Sequence, residues 1–262
     1  MEKIRVFLSD PQVLFREGIH FILSGEDDFE VTGETTSNDE ALTLIEANPP
    51  LVAILSLQDT AADGCEITRR IKRSLPSVTV ILTLEKKEED KLFMAIKSGA
   101  GACLTKDTDP DILLNIIRDI SKGNLPIINE LLLPGLAARV LVEFKDAAAV
   151  NQQVENLLAN LTAKESQVLS TIAAGASLAE TASKLDMNEE GVRRHLKMIQ
   201  NKMVNNDQAN IVFEAAQRSM PILIRSKAAR DAGSGQYVTR AEFTEFKESL
   251  MARFKSFISE KS

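Results

Sequence analysis

The chain has 262 residues, enough for two modest domains with real cores. Its two cysteines, Cys65 and Cys103, stand far apart, which excludes a disulfide framework and a cysteine-based metal site and suits a reducing compartment. The formal net charge of −7 is spread unevenly: −8 over residues 1–123, −2 over 124–160, 0 over 161–218 and +3 over 219–262.

The Met-Glu-Lys start lacks a signal-peptide pattern, and no apolar run reaches the roughly 18 residues of a membrane span. A soluble cytoplasmic protein without membrane contact is expected. No catalytic constellation and no nucleotide-binding glycine motif occurs, so neither an enzyme nor a cofactor is expected.

Over residues 1–123, short β-rich runs alternate with amphipathic stretches. IRVFL, FEVTGE, LVAILS, VTVILT and ACLT read as five strands. Between them, Phe15–Leu23, Asp39–Ala47, Cys65–Leu75, Asp90–Ser98 and Pro110–Lys122 have helical spacing. Strands alternating with helices predict an α/β domain with a five-stranded parallel sheet. His20 falls on the apolar side of the first helix and is expected to pack. The two cysteines sit among apolar or small residues, as core cysteines do.

Residues 124–160 form a connector interrupted at Pro134-Gly135, with helical spacing over Leu136–Phe144 and Val150–Leu158. It can pack on the following domain or on a second subunit, and the sequence does not choose.

From Leu161 to residue 219 the boundaries of four helices are written in the residues. Thr162 with Glu165 is a capping box, in which each side chain satisfies the other residue's free backbone N–H. Val168, Leu169 and Ile172 form the stripe behind it, and Gly175 ends that helix. Ser177 with Glu180 opens a second, short helix. Asp186 and Asn188 provide turn and N-cap chemistry for a third helix, Glu189 to Lys202, with Val192, Leu196, Ile199 and Met203 inward. Its outer side carries Arg193, Arg194, Lys197 and Lys202. A fourth helix is expected after it. Yet residues 161–218 hold seven Lys or Arg against seven Asp or Glu, without the basic excess of a strong nucleic-acid binder.

Beyond Pro221, RSKAARDAGSGQ marks a flexible linker over residues 220–236. Residues 237–262 then form an amphipathic helix opened by Thr239 and Glu242. Phe243, Phe246, Leu250, Phe254, Phe257 and Ile258 share one face. Burying each such side chain contributes roughly 1.5–3 kcal/mol, so the stripe should be covered. Three to four turns of alternating 3 and 4 spacing suit a helical dimer or bundle, so a homo-oligomer is the preferred reading, and docking on the chain's own domains is the other.

The caps, glycine and stripe of LTAKESQVLSTIAAGASLAETASKLDMNEEGVRRHLKMIQNKM resemble the LuxR-type helix-turn-helix. The strand order, REGI, DG and GAGACLTKD of the first domain resemble the receiver of the NarL/FixJ branch of response regulators. Together these cover about the first 218 residues. The resemblance implies a flavodoxin-like receiver domain, then an all-α four-helix DNA-binding domain. It places Arg193, Arg194 and Lys197 where family members contact bases, Lys202 where they contact phosphate, and His195 at a positioning or phosphate-bonding place. Gly191 stands where the family usually has Thr, while Val204 and Gln208 replace a usual Gly and Arg.

A receiver requires an acceptor carboxylate, an acidic pair for Mg²⁺, a Thr or Ser and a Lys. The resemblance puts Ser56 at the acceptor position, Asp10 and Pro11 at the acidic pair, and Thr83 and Lys106 in register. Ser56 lacks the ionised oxygen that attacks phosphohistidine, so phosphotransfer is not expected. A Lys106–Asp10 pair is the expected filling of the pocket, and binding of a small anion by Ser56, Thr83 and Lys106 is a rival reading.

The resulting expectation is a transcription regulator that binds promoter DNA as a dimer and works independently of phosphorylation. The alternative is an adaptor that has lost most DNA affinity and acts on another regulatory protein.

Overall fold

The short β-rich runs become one parallel sheet: β1 (Ile4–Ser9), β2 (Phe29–Thr35), β3 (Val52–Ser56), β4 (Thr79–Leu84) and β5 (Ala102–Thr105). Their order is β2-β1-β3-β4-β5. The computed structural model describes residues 3–58, 62–151 and 158–218. The helices α1 (Val13–Ser24), α2 (Asn38–Ala47), α3 (Ala62–Ser74), α4 (Glu89–Ser98) and α5 (Pro110–Ser121) connect the strands and then leave the last one.

Alternation along each strand divides the sheet into two apolar faces. Val6, Leu8, Ile54, Ile81 and Leu104 pack with Ile19 and Leu23 of α1 and with Leu113 and Ile117 of α5. Phe7, Ala53, Leu55, Val80 and Leu82 face the other way, onto Ile45 of α2, Ile67 and Ile71 of α3, and Leu92 and Ile96 of α4. Burial on both faces is what a parallel sheet requires, and it explains the near-continuous apolar runs in β3 and β4.

The second apolar face continues beyond the sheet domain. It takes in Ile127, Ile128 and Leu131 of a 3-10 turn (Pro126–Leu132), then Leu136, Val140 and Phe144 of α6 (Pro134–Asn151). It ends among Val168, Leu169 and Ile172 of α7 (Ala163–Ala173), Ala182 of α8 (Leu178–Lys184), and Val192, Leu196, Ile199 and Met203 of α9 (Glu189–Arg218). Residues Met1–Gln208 accordingly form one compact unit.

Both capping boxes form. Thr162 accepts from the Glu165 amide at 3.2 Å while Glu165 accepts from the Thr162 amide at 2.6 Å. Ser177 and Glu180 make the corresponding pair at 3.3 and 2.8 Å. Gly175 has a φ of +90°, the left-handed conformation for which its lack of a side chain suits it. Asn188 caps α9 by accepting from the Gly191 amide at 2.8 Å.

One expectation is corrected. Three helices, not four, follow Leu161 among the described residues, because α9 runs unbroken from Glu189 to Arg218. No Gly or Pro lies between Lys202 and Arg218, so nothing in the backbone forces a break where Val204 replaces the usual Gly. In the connector, one helix extends from Pro134 to Asn151. Most of the second expected helix, the 220–236 linker and the packing face of Phe243, Phe246, Leu250, Phe254 and Phe257 lie outside the described residues.

Candidate phosphorylation pocket and nucleic-acid interface

The sheet order reverses direction beside β1, and the C-terminal ends of β1 and β3 lie next to each other at that switch point, where open α/β sheets bind ligands. Asp10 follows β1, Ser56 ends β3, Thr83 lies in β4 and Lys106 follows β5. The structure therefore brings together the four residues that the resemblance assigned to this pocket.

The polar groups there are largely bonded to one another. Lys106 Nζ lies 3.2 Å from Asp10 Oδ1 and 3.1 Å from Oδ2. It also lies 3.0 Å from Glu85 Oε1, which accepts from Gln12 Nε2 at the same distance. The Gln12 amide donates to Asp10 Oδ1 at 2.8 Å, and Arg16 donates to the Asp10 carbonyl at 2.9 Å. Lys106 stands 5.2 Å from the centre of the Phe15 ring. Beneath it, Asn38 donates to the Ser56 carbonyl and accepts from Ser9 Oγ, both at 2.8 Å. Ser56 and Thr83 are buried.

These residues do not make a Mg²⁺ site. Magnesium requires a near-octahedral set of oxygens. Here Pro11 offers no side-chain oxygen, Ser56 offers a neutral one, and the Asp10 carboxylate faces an ammonium. Among the described residues no group of three or more His, Cys, Asp or Glu is placed to hold a metal ion. A cavity of about 230 Å³ opens beside Thr83 and Lys106, but its walls include Phe15, Ile19, Ile22, Leu104 and Leu113, a lining that does not favour a small anion.

Cys65 and Cys103 are buried and unpaired. Burial pushes their thiols up to about 11 and about 12, respectively, so neither is a thiolate near neutral pH. His20 is half-buried, with Nδ1 3.5 Å from Glu34.

The residues that the resemblance assigns to DNA contact, on α9 as the expected reader helix, meet different surroundings. Arg193 donates to Asn129 Oδ1, and Lys197 Nζ donates to the Gly123 carbonyl at 3.1 Å. One turn on, Gln200 Nε2 donates to the Ala100 carbonyl at 2.8 Å. Residues 193, 197, 200, 204 and 207 follow steps of four and three, so they form one stripe of α9, directed at the receiver-like domain and its connector. Arg194 is exposed on another side. His195 is partly buried, and its Nδ1 has no hydrogen-bond partner.

Lys202 Nζ donates at 2.6 Å to Glu165, which is fully buried, and at 3.0 Å to the Asn160 carbonyl. Burial raises the Glu165 pKa, but bonds from Lys202 and Thr162 outweigh it and hold the carboxyl below its ordinary range. Glu85, Asn38, Asn129, Gly123 and Asp207 were missed by sequence reasoning. Only Glu85 carried a local signal, as an acid two residues beyond Thr83.

Residues 6–118 match the response regulator receiver domain, and residues 159–215 match the luxR family of bacterial regulatory proteins. The chain is 27% identical over 219 residues to the uncharacterized transcriptional regulatory protein YxjL of Bacillus subtilis, covering 84% of this chain and 98% of that one. It is also 27% identical over 219 residues to the transcriptional regulatory protein DegU of Brevibacillus brevis, covering 81% and 93%. The crystal structure of response regulator ChrA, from a heme-sensing two-component system, superposes over 84% of this chain and 100% of that one, with 25% identity and a TM-score of 0.41. With a receiver domain joined to a luxR-family domain, the chain belongs to the transcriptional response regulators of the LuxR/NarL family.

Proposed function

We propose that this protein is a DNA-binding transcription regulator that works without aspartyl phosphorylation. The observation that carries this reading is the Lys106–Asp10 pair closing a pocket whose acceptor position is Ser56. A neutral hydroxyl with no adjacent base is a poor nucleophile, and the ammonium that would neutralise a phosphoryl group already faces a carboxylate. Residues 1–123 then act as a receiver-like regulatory domain, 124–160 as a connector and 161–219 as the DNA-binding domain.

Arg193, Arg194, His195, Lys197 and Lys202 are the proposed DNA-contacting set. Promoter DNA is the proposed partner, bound by a dimer to which the Phe-rich face of residues 237–262 contributes. Arg193 and Lys197 are bonded to Asn129 and Gly123, so DNA binding requires α9 to leave this contact. No described helix is long and apolar enough to cross a membrane.

Beryllofluoride with Mg²⁺, or acetyl phosphate, should leave mass, oligomeric state and DNA binding unchanged. A stable phospho-adduct on Ser56 would overturn the proposal.

The adaptor reading has one specific observation in its favour: two of the reader's cations are turned toward the protein itself. Failure of the full chain to retain any DNA at low salt would favour it.

A further inference from the structure

The stripe of α9 that begins with Arg193 ends at Asp207, and Asp207 is buried between two cations of the receiver domain. Its Oδ2 lies 2.5 Å from Arg69 Nε of α3, and its Oδ1 lies 3.7 Å from Lys97 Nζ of α4. Lys97 also bonds Glu143 of α6 at 2.5 Å, and Arg69 lies 3.8 Å from Glu66. The side chains of Arg69, Asp207 and Lys97 are only 12, 10 and 16% exposed. One turn earlier, Val204 lies against Gly99, where an added Cβ would be 3.5 Å from both of its methyl groups.

We propose that Asp207 anchors a latch, closing on Arg69 and Lys97, that holds the reader helix against the receiver domain. The inference rests on the DNA-binding reading above and identifies the contact that keeps the reader covered. Asn129 and the Gly123 carbonyl are neutral acceptors, and DNA phosphates compete for Arg193 and Lys197 with full negative charges. DNA cannot take Asp207 from its partners in the same way, because a phosphate repels a carboxylate. A buried pair is also screened little by salt. Opening therefore requires Asp207 to leave Arg69 and Lys97. The unbroken course of α9 through residues 202–208 transmits that movement to Arg193 and Lys197 as one rod.

The phosphorylation pocket has no part in this latch. Arg69, Lys97 and Asp207 lie on α3, α4 and α9, whereas Asp10, Ser56 and Lys106 lie at strand ends.

The test is thiol labelling of the full chain with a Gln200→Cys reporter, since Gln200 is buried under the receiver domain. Adding Asp207→Asn or Arg69→Ala should each speed labelling of that reporter at least tenfold, and combining them should add little. Cys103, buried on β5, must stay unlabelled, because its labelling would report unfolding of the domain, whereas Cys65 interacts with Arg69 and Asp207 and is no such control. Without the reporter, the same two variants should bind DNA about tenfold more tightly than the parent protein.

An unchanged labelling rate in both variants would overturn the latch, whatever happens to DNA binding. Faster labelling with no DNA binding by any variant would support the latch and defeat the DNA-binding reading. Labelling of Cys103 as well in Asp207→Asn leaves Arg69→Ala, outside the DNA-binding domain, to decide.

Discussion

Lys106 and Asp10, 96 residues apart in sequence, meet at the C-terminal edge of the sheet with Nζ within 3.2 Å of both carboxylate oxygens. Asp10 is 3% exposed, so the ammonium is the main compensation for a buried charge. Lys106→Ala should cost about 3 kcal/mol, the order expected when one member of a buried pair is removed. Urea denaturation measures it, and a loss below about 1 kcal/mol would show that the pair is not what satisfies Asp10.

Gly64 sits where an added Cβ would lie 2.8 Å from the Ser56 carbonyl oxygen and 3.1 Å from Leu57. A backbone oxygen cannot step aside as a flexible side chain can. Gly64→Ala should therefore destabilise the receiver domain by about 1–3 kcal/mol. Its thermal midpoint should fall while its far-ultraviolet circular dichroism at low temperature stays unchanged.

The Glu165 carboxyl is held below its ordinary 4.5 by Lys202 and Thr162 against the effect of burial. A depressed folded-state pKa contributes stability that is present above the unfolded value and lost as pH falls through the folded one. The urea midpoint should accordingly fall as the pH drops below about 4.5, and Lys202→Ala should make that fall shallower. An identical acid profile for the two proteins would remove Lys202 from this role.

Arg194 is exposed while Arg193 and Lys197 are bonded to the receiver side. Arg194→Ala and Lys197→Ala should weaken DNA binding by about 1–3 kcal/mol for each side chain that bonds a base edge, with reduced discrimination between sequences. Titrations against a recovered site and a scrambled duplex separate that from loss of a phosphate contact, which weakens both equally.

Truncation after Ser219 removes the phenylalanine-rich sequence of residues 237–262 proposed to contribute to the dimer. The oligomeric mass measured by light scattering should fall, and an unchanged mass would exclude this segment from assembly.

Much of the fold was legible because its signals are local. Each strand of the sheet is a short β-rich run, and each face is filled by alternate residues, as with Val6 and Leu8 on one side and Phe7 on the other. Thr162, Ser177 and Asn188 mark helix starts through bonds that span three residues. The unbroken α9 was misread because a family break was expected at Val204, although no residue from there to Arg218 breaks a helix. In the pocket, Ser56, Thr83 and Lys106 could be placed by motif. Asp207 could not, because its partner Arg69 is 138 positions away and nothing near either residue announces the other.

The most direct test of the regulator account is selection of genomic fragments by the purified full-length protein, followed by titration of a recovered site at several salt concentrations. The account predicts enrichment of a shared, roughly two-fold symmetric site whose affinity falls as salt rises and is weakened by Arg194→Ala. Recovery of nothing above background at moderate salt would contradict it and favour the adaptor.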